Sequence, residues 1–150
     1  MQTDSLLVAL DLDAEPDALA AEARDLANRL SARLVVLTVI PLKAGIDADV
    51  LCHPKAHPTT TQQLHEAELE VLPRLRAIAA SVRAAGVEVS AQVAHGDVAE
   101  AILHVADELD VGLIVVGTHG RRGVARVALG SVAETVVRMA PVPVVTVRLG

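Results

Sequence analysis

Short continuous apolar runs alternate along this chain with longer stretches whose apolar residues recur at helical spacing. Leu6-Leu7-Val8-Ala9-Leu10 has no polar break and predicts a strand buried on both faces. Asp11-Leu12-Asp13 closes it, and Pro16 suits the first turn of a helix. Leu19, Ala23, Leu26 and Leu30 then mark one helical face. Leu34 to Ile40 predicts a second buried strand, and Pro41 to Thr60, which has no period, a long loop.

Thr60 with Gln63 reads as a capping box. Leu64, Val71, Leu72, Leu75, Ile78 and Val82 follow on a long helix that Pro73 is expected to kink or split, and Gly86 is its expected terminator. From Val87 to Val93 apolar and polar residues alternate, which predicts a half-exposed strand at a sheet edge. Asp97 and Glu100 form a second capping pair ahead of Val98, Ala101, Ile102, Val105, Ala106 and Leu109. Val111 to Val116 predicts the fourth strand, and Ser131 with Glu134 is expected to cap the fourth helix. Val142 to Val147 predicts the fifth strand, with Pro143 near its start pointing to an edge. Strands alternating with helices imply one α/β domain over 1–150, built on a parallel sheet.

Composition narrows what such a domain can do. Hydrophobic residues make up 52% of the 150, yet Phe, Tyr and Trp are absent, so the core must be aliphatic. A base bound here must pack on aliphatic side chains. That argues against single-stranded nucleic acid, which is gripped by aromatic platforms. A net charge of −6 argues against general phosphate-backbone binding. No apolar run approaches the roughly 20 residues of a membrane span, and no secretory signal precedes Leu6. Cys52 is the single cysteine, so no intrachain disulfide can form. The expectation is a soluble cytoplasmic protein with neither nucleic-acid nor membrane partners.

The most informative chemistry lies between Gly117 and Ser131. A strand ends there, a glycine-rich loop follows with His119, Arg121, Arg122 and Arg126, and a helix begins at Gly130-Ser131. A helix start offers free N–H groups and the positive end of the helix dipole, which suits a phosphate. The chain has neither the P-loop pattern nor Gly-x-Gly-x-x-Gly after its first strand. Its pattern is Gly117-x2-Gly120-x9-Gly130-Ser131, with glycines able to approach a ligand closely or take positive φ. Cys52, His53 and His57 lie close together, but Pro54 and Pro58 interrupt them and no fourth ligand is evident, so a mobile loop is preferred to a metal site. His65, His95 and His104 read as packing or surface residues, and no Ser/His/Asp order supports nucleophilic catalysis.

Taken together, these motifs resemble the universal stress protein family over nearly the whole chain. The resemblance rests on a first strand ending in Asp11, a second ending near Val39, Gly96 before the third helix, Leu113-Ile114-Val115-Val116-Gly117, the glycine pattern, and the closing Pro141 to Arg148 segment. The Gly-x2-Gly-x9-Gly-Ser spacing resembles that of the ATP-binding branch. The resemblance implies a doubly wound, five-stranded parallel sheet in order 3-2-1-4-5 with helices on both faces, and a homodimer, which we place on the Val142–Val147 strand. It implies that Asp11 and Val39 line the adenine and ribose side and that Gly117 lies near the ribose. Gly120, Gly130, Ser131 and Val132 would hold phosphates. Ligands in such sheets bind beyond the carboxyl ends of the strands at the switch point, here between strands one and four. The implied function is a regulatory protein of stress response that binds ATP, with Mg²⁺ a conceivable companion and hydrolysis at most slow. The rival readings are a nucleotide-free dimeric scaffold and a small-molecule enzyme using the same crevice. One departure bears on them: the family commonly has Asp-Gly-Ser where this chain has Asp11-Leu12-Asp13. Leu12 resists positive φ and Asp13 adds negative charge near the phosphates, so a weakened nucleotide affinity is expected.

Overall fold

The computed structural model describes residues 3–42, 61–119 and 130–149. Within them the elements run β1 (Ser5–Ala9), α1 (Pro16–Leu30), β2 (Arg33–Pro41), α2 (Thr61–Ala84), β3 (Val89–Gly96), α3 (Val98–Glu108), β4 (Leu113–His119), α4 (Ser131–Met139) and β5 (Val144–Leu149). All four strand pairings are parallel. The sheet order is β3-β2-β1-β4-β5, which puts β3 and β5 at the edges. The expected order and both expected edge strands are therefore found.

The alternation of side chains along the central strands divides the core in two. Leu6 and Val8 face one side with Leu34 and Val36, against Leu19 and Ala23 of α1 and Leu75 and Val82 of α2. Leu7 faces the other side with Val35, Leu37 and Ile114, against Ile102 and Ala106 of α3 and Val136 of α4. A strand buried on both faces needs no polar alternation, which is why β1 reads as a continuous apolar run. β3, at the edge, keeps its alternation, with Ser90, Gln92 and His95 exposed. With no aromatic rings, alanines bring helices close to the sheet: Ala20, Ala23 and Ala27 of α1 are all buried.

Several details differ from the sequence reading. Leu30 was expected on the buried face of α1 but is 38% exposed, the buried face being carried by alanine instead. Pro73 does not split α2, which runs unbroken for 24 residues. Its ring lies on the exposed face, and Leu69, whose carbonyl loses its intrahelical donor, is exposed as well. Gly86 does end that helix, at φ +91, a conformation that strains other residues. β4 and β5 both start two residues later than the apolar runs implied. Val111 is buried but precedes the ladder, and Pro143, lacking an N–H, contributes only its carbonyl to Ile114 N–H at 3.0 Å. Thr60 of the first capping pair lies outside the described residues.

The second capping pair is formed on one side: Asp97 accepts from Glu100 N–H at 3.0 Å. Asp97→Ala is expected to cost about 1 kcal/mol of stability. Urea unfolding monitored by far-UV circular dichroism checks this, and an unchanged midpoint would count against the cap.

Candidate functional site

The carboxyl ends of β1, β2 and β4 and the amino end of α4 surround one crevice of about 920 Å³. This size lies within the usual range of small-ligand pockets. Asp11 from the end of β1, Val39 from β2, Gly117 from β4, and Gly130, Ser131 and Val132 at the start of α4 all line it. Residues distant in sequence thus meet at the switch point between β1 and β4, as the sheet order requires. Gly120, like Arg121, Arg122, Arg126, Cys52, His53 and His57, lies outside the described residues.

The amino end of α4 forms one wall of the crevice. Its first backbone bond within the helix runs from Glu134 N–H to the Gly130 carbonyl at 3.0 Å. The N–H groups of Ser131, Val132 and Ala133 therefore have no acceptor within the helix. The cap position is Gly130, and no side chain caps it. This corrects the expected Ser131–Glu134 cap: Ser131 is the first helical residue. Its carbonyl accepts from Thr135 Oγ1 at 2.9 Å, while its exposed hydroxyl is not spent on a cap.

Of the two reasons the motif offers for a glycine, positive φ does not apply at Gly117, and packing adds another. A Cβ there would meet Leu149 Cδ1 at 2.6 Å and Leu19 Cδ2 at 3.2 Å. Gly117 leaves room for two leucines that form part of the apolar wall.

The turn after β1 is tightly held despite having no glycine. Asp11 Oδ1 accepts from Asp13 N–H at 2.9 Å, and the Asp11 carbonyl accepts from Ala14 N–H at 3.1 Å. Leu12 is buried in the core at 8% exposure and does not adopt positive φ. The left-handed residue is Glu15, at φ 48, immediately before α1. The expected conflict at Leu12 is thus avoided by moving the left-handed conformation three residues on. Thr38 Oγ1 of β2 donates to the Leu10 carbonyl at 2.9 Å, which ties β1 to β2 beneath the turn.

Arg74 is the residue that sequence reasoning missed. It lies on α2, and its Nη2 donates to the Leu12 carbonyl at 2.6 Å, while Nη1 lies 3.8 Å from Asp13 Oδ1. Nothing local in the chain signals a contact between positions 62 apart. The only cue is that Glu70, Val71 and Arg74 share one helical face, which borders the crevice.

Comparisons with known proteins agree with this architecture. The profile of the universal stress protein family matches residues 3–148. A protein of Staphylococcus haemolyticus described as a universal stress protein is 30% identical over 146 residues, 96% of this chain and 84% of that protein. A universal stress protein of Methanocaldococcus jannaschii is 40% identical over 63 residues, 42% of this chain and 37% of that one. Among solved structures, the universal stress protein UspA from Lactobacillus plantarum superposes with a TM-score of 0.78 at 24% identity, covering 99% of both chains. A universal stress protein solved in complex with cAMP gives a TM-score of 0.71 at 21% identity, covering 99% of this chain and 98% of that one. One from Archaeoglobus fulgidus, solved with dAMP, gives 0.64 at 22%, covering 97% and 98%. Because the family profile runs almost from end to end over a sheet ordered β3-β2-β1-β4-β5, the chain belongs to the universal stress protein family.

Proposed function

We propose that the crevice binds an adenine nucleotide, ATP by preference, and that the protein works as a regulatory binding protein in stress response. The observation that carries this reading is the convergence of Asp11, Val39, Gly117, Gly130, Ser131 and Val132 on one crevice at the switch point. In this reading the base and ribose lie on the aliphatic side, by Asp11, Val39 and Gly117. The phosphates meet the α4 N–H groups and the Ser131 hydroxyl, with Gly120 completing the glycine pattern. Relatives of the same fold carry cAMP and dAMP, which supports an adenine ligand. The choice of ATP rests on the Gly-x2-Gly-x9-Gly-Ser spacing.

The residues fit such a ligand. The helix start supplies donors and a positive dipole end, and the crevice walls supply aliphatic surface from Leu12, Leu19 and Leu149. Mg²⁺ accompanying ATP would find Asp11 and Asp13 as the carboxylates of the adjoining turn. Hydrolysis is expected to be slow, since no P-loop lysine is present in the sequence pattern. The reading places the protein in the cytoplasm as a homodimer. No helix among the described residues is long and apolar enough to cross a membrane.

A second reading, a nucleotide-free dimeric scaffold, draws on Asp13, whose exposed carboxylate stands at the crevice rim. One experiment separates the two. The chain has no Trp, Tyr or Phe, so a bound adenine dominates its near-UV spectrum. The purified protein is expected to show the adenine band, or to give saturable heat on titration with ATP. A flat spectrum together with no heat at high ATP favours the scaffold.

A further inference from the structure

We infer that Arg74 is a positioning residue that makes the crevice able to accept phosphate-bearing ligands; the inference rests on the nucleotide reading above. Among the described residues that line the crevice, the carboxylates are Asp11, Asp13, Glu15 and Glu70, and Arg74 is the one cation. An anion entering from this side meets acidic groups unless something offsets them. Arg74 does this at the most awkward point. Its guanidinium lies 3.8 Å from the Asp13 carboxylate, the group that replaces serine in the usual family pattern.

Arg74 also carries a mechanical role. The turn Asp11-Leu12-Asp13 is held from inside by the buried Leu12 side chain and locally by the Asp11–Asp13 bond. Arg74 adds the connection from another element, through the 2.6 Å bond to the Leu12 carbonyl. A planar guanidinium can serve the carbonyl with one nitrogen and face the carboxylate with the other. An ammonium on a lysine stem is a single point charge. Thus α2 tethers the turn that carries Asp11, at the Leu12 carbonyl, while lowering the negative potential at Asp13. The pair is exposed, at 50% and 91% of the side chains, so its direct attraction is modest. Its consequence appears only when a third, anionic group is present.

The charge role and a purely structural role make different predictions. Binding of ATP, with divalent cations chelated so that Asp13 holds no metal, and of adenosine is measured by calorimetry for the parent, Arg74→Ala, Arg74→Lys, Asp13→Asn and the double variant Arg74→Ala/Asp13→Asn. Arg74→Ala is expected to weaken ATP about two- to fivefold and adenosine much less. Arg74→Lys is expected to fall between parent and Arg74→Ala. Asp13→Asn, changed at a solvent-facing side chain, is expected to tighten ATP, and in the double variant to restore most of the loss. Equal weakening of ATP and adenosine in Arg74→Ala, or no rescue by Asp13→Asn, overturns the charge role. Unchanged ATP affinity in Arg74→Ala overturns the inference as a whole while leaving the nucleotide reading intact. A parent protein that binds neither ligand overturns both.

Discussion

Gly130→Val is expected to weaken ATP binding by about a hundredfold or more while the protein remains folded. The argument begins with the backbone. Gly130 has φ −42 and ψ 165, outside the left-handed region that demands glycine, so a side chain there needs a backbone adjustment of about 20° and not a new turn. Valine is a poor cap, at a cost of about 1 kcal/mol relative to good capping residues. That is too little to unfold a domain of ordinary stability, typically about 5–15 kcal/mol. For a ligand, however, the change is severe. A branched side chain there adds bulk at the residue immediately before the N–H groups of Ser131, Val132 and Ala133. Those donors are the proposed phosphate site, and a hydrogen bond to a charged group is worth about 1.5–3 kcal/mol, or about ten- to a hundredfold in affinity. Ser131→Ala removes one hydroxyl donor and is expected to lose up to that single-bond amount. Calorimetry with ATP, alongside a melting curve for each variant, checks both. A folded Gly130→Val variant that binds ATP as the parent does would place the phosphates elsewhere.

How much of this site the sequence made legible depends on the range of the interactions. Strand and helix type were readable because burial imposes a local pattern: Leu6 to Leu10 is uninterrupted where the sheet is covered on both faces, and Val87 to Val93 alternates where it is not. Strand limits were less readable. Burial begins at Val111, but pairing begins at Leu113, since apolar identity reports the environment of a side chain and not the partner of its amide. The order of the strands came from the family resemblance, not from periodicity, and the switch-point rule then located the crevice. Glycine positions were informative, but their reasons were not: Gly117 is small for the sake of Leu149 and Leu19, not for a positive φ. The place of Leu12 was not legible, because a hydrophobic residue in a turn can anchor it in the core, here with the left-handed conformation at Glu15. Arg74 was invisible because its partners lie on the turn after β1, and only the folded sheet brings α2 above that turn.

The second large effect concerns assembly: Thr146→Pro is expected to convert the proposed homodimer to a monomer. Among the described residues β5 is an edge strand with no neighbour on its outer side, and such a side invites another strand. The register tells which groups these are. Ile114 N–H donates to the Pro143 carbonyl, and along a parallel strand alternate residues turn their N–H and C=O groups to opposite sides. Pro143, Val145 and Val147 therefore face β4, leaving Val144, Thr146 and Arg148 to face outward. A charge at Val145 tests the interface less cleanly, because that half-buried side chain packs against the α1 side of the core, in a cleft it shares with Leu26, Val115 and Val147 as well as Glu22, Asp25 and Arg29. Burying a carboxylate there would disturb the monomer as well as the interface. Thr146 is exposed, and its N–H is not used in the β4 ladder. Proline at that position removes the central outward donor and sets its ring against an incoming strand, while edge strands tolerate proline where the N–H faces solvent. Light scattering on the parent protein comes first, and a monomer at micromolar concentration defeats the dimer. If the parent is a dimer and folded Thr146→Pro remains one, the two copies meet through a surface other than the β5 edge.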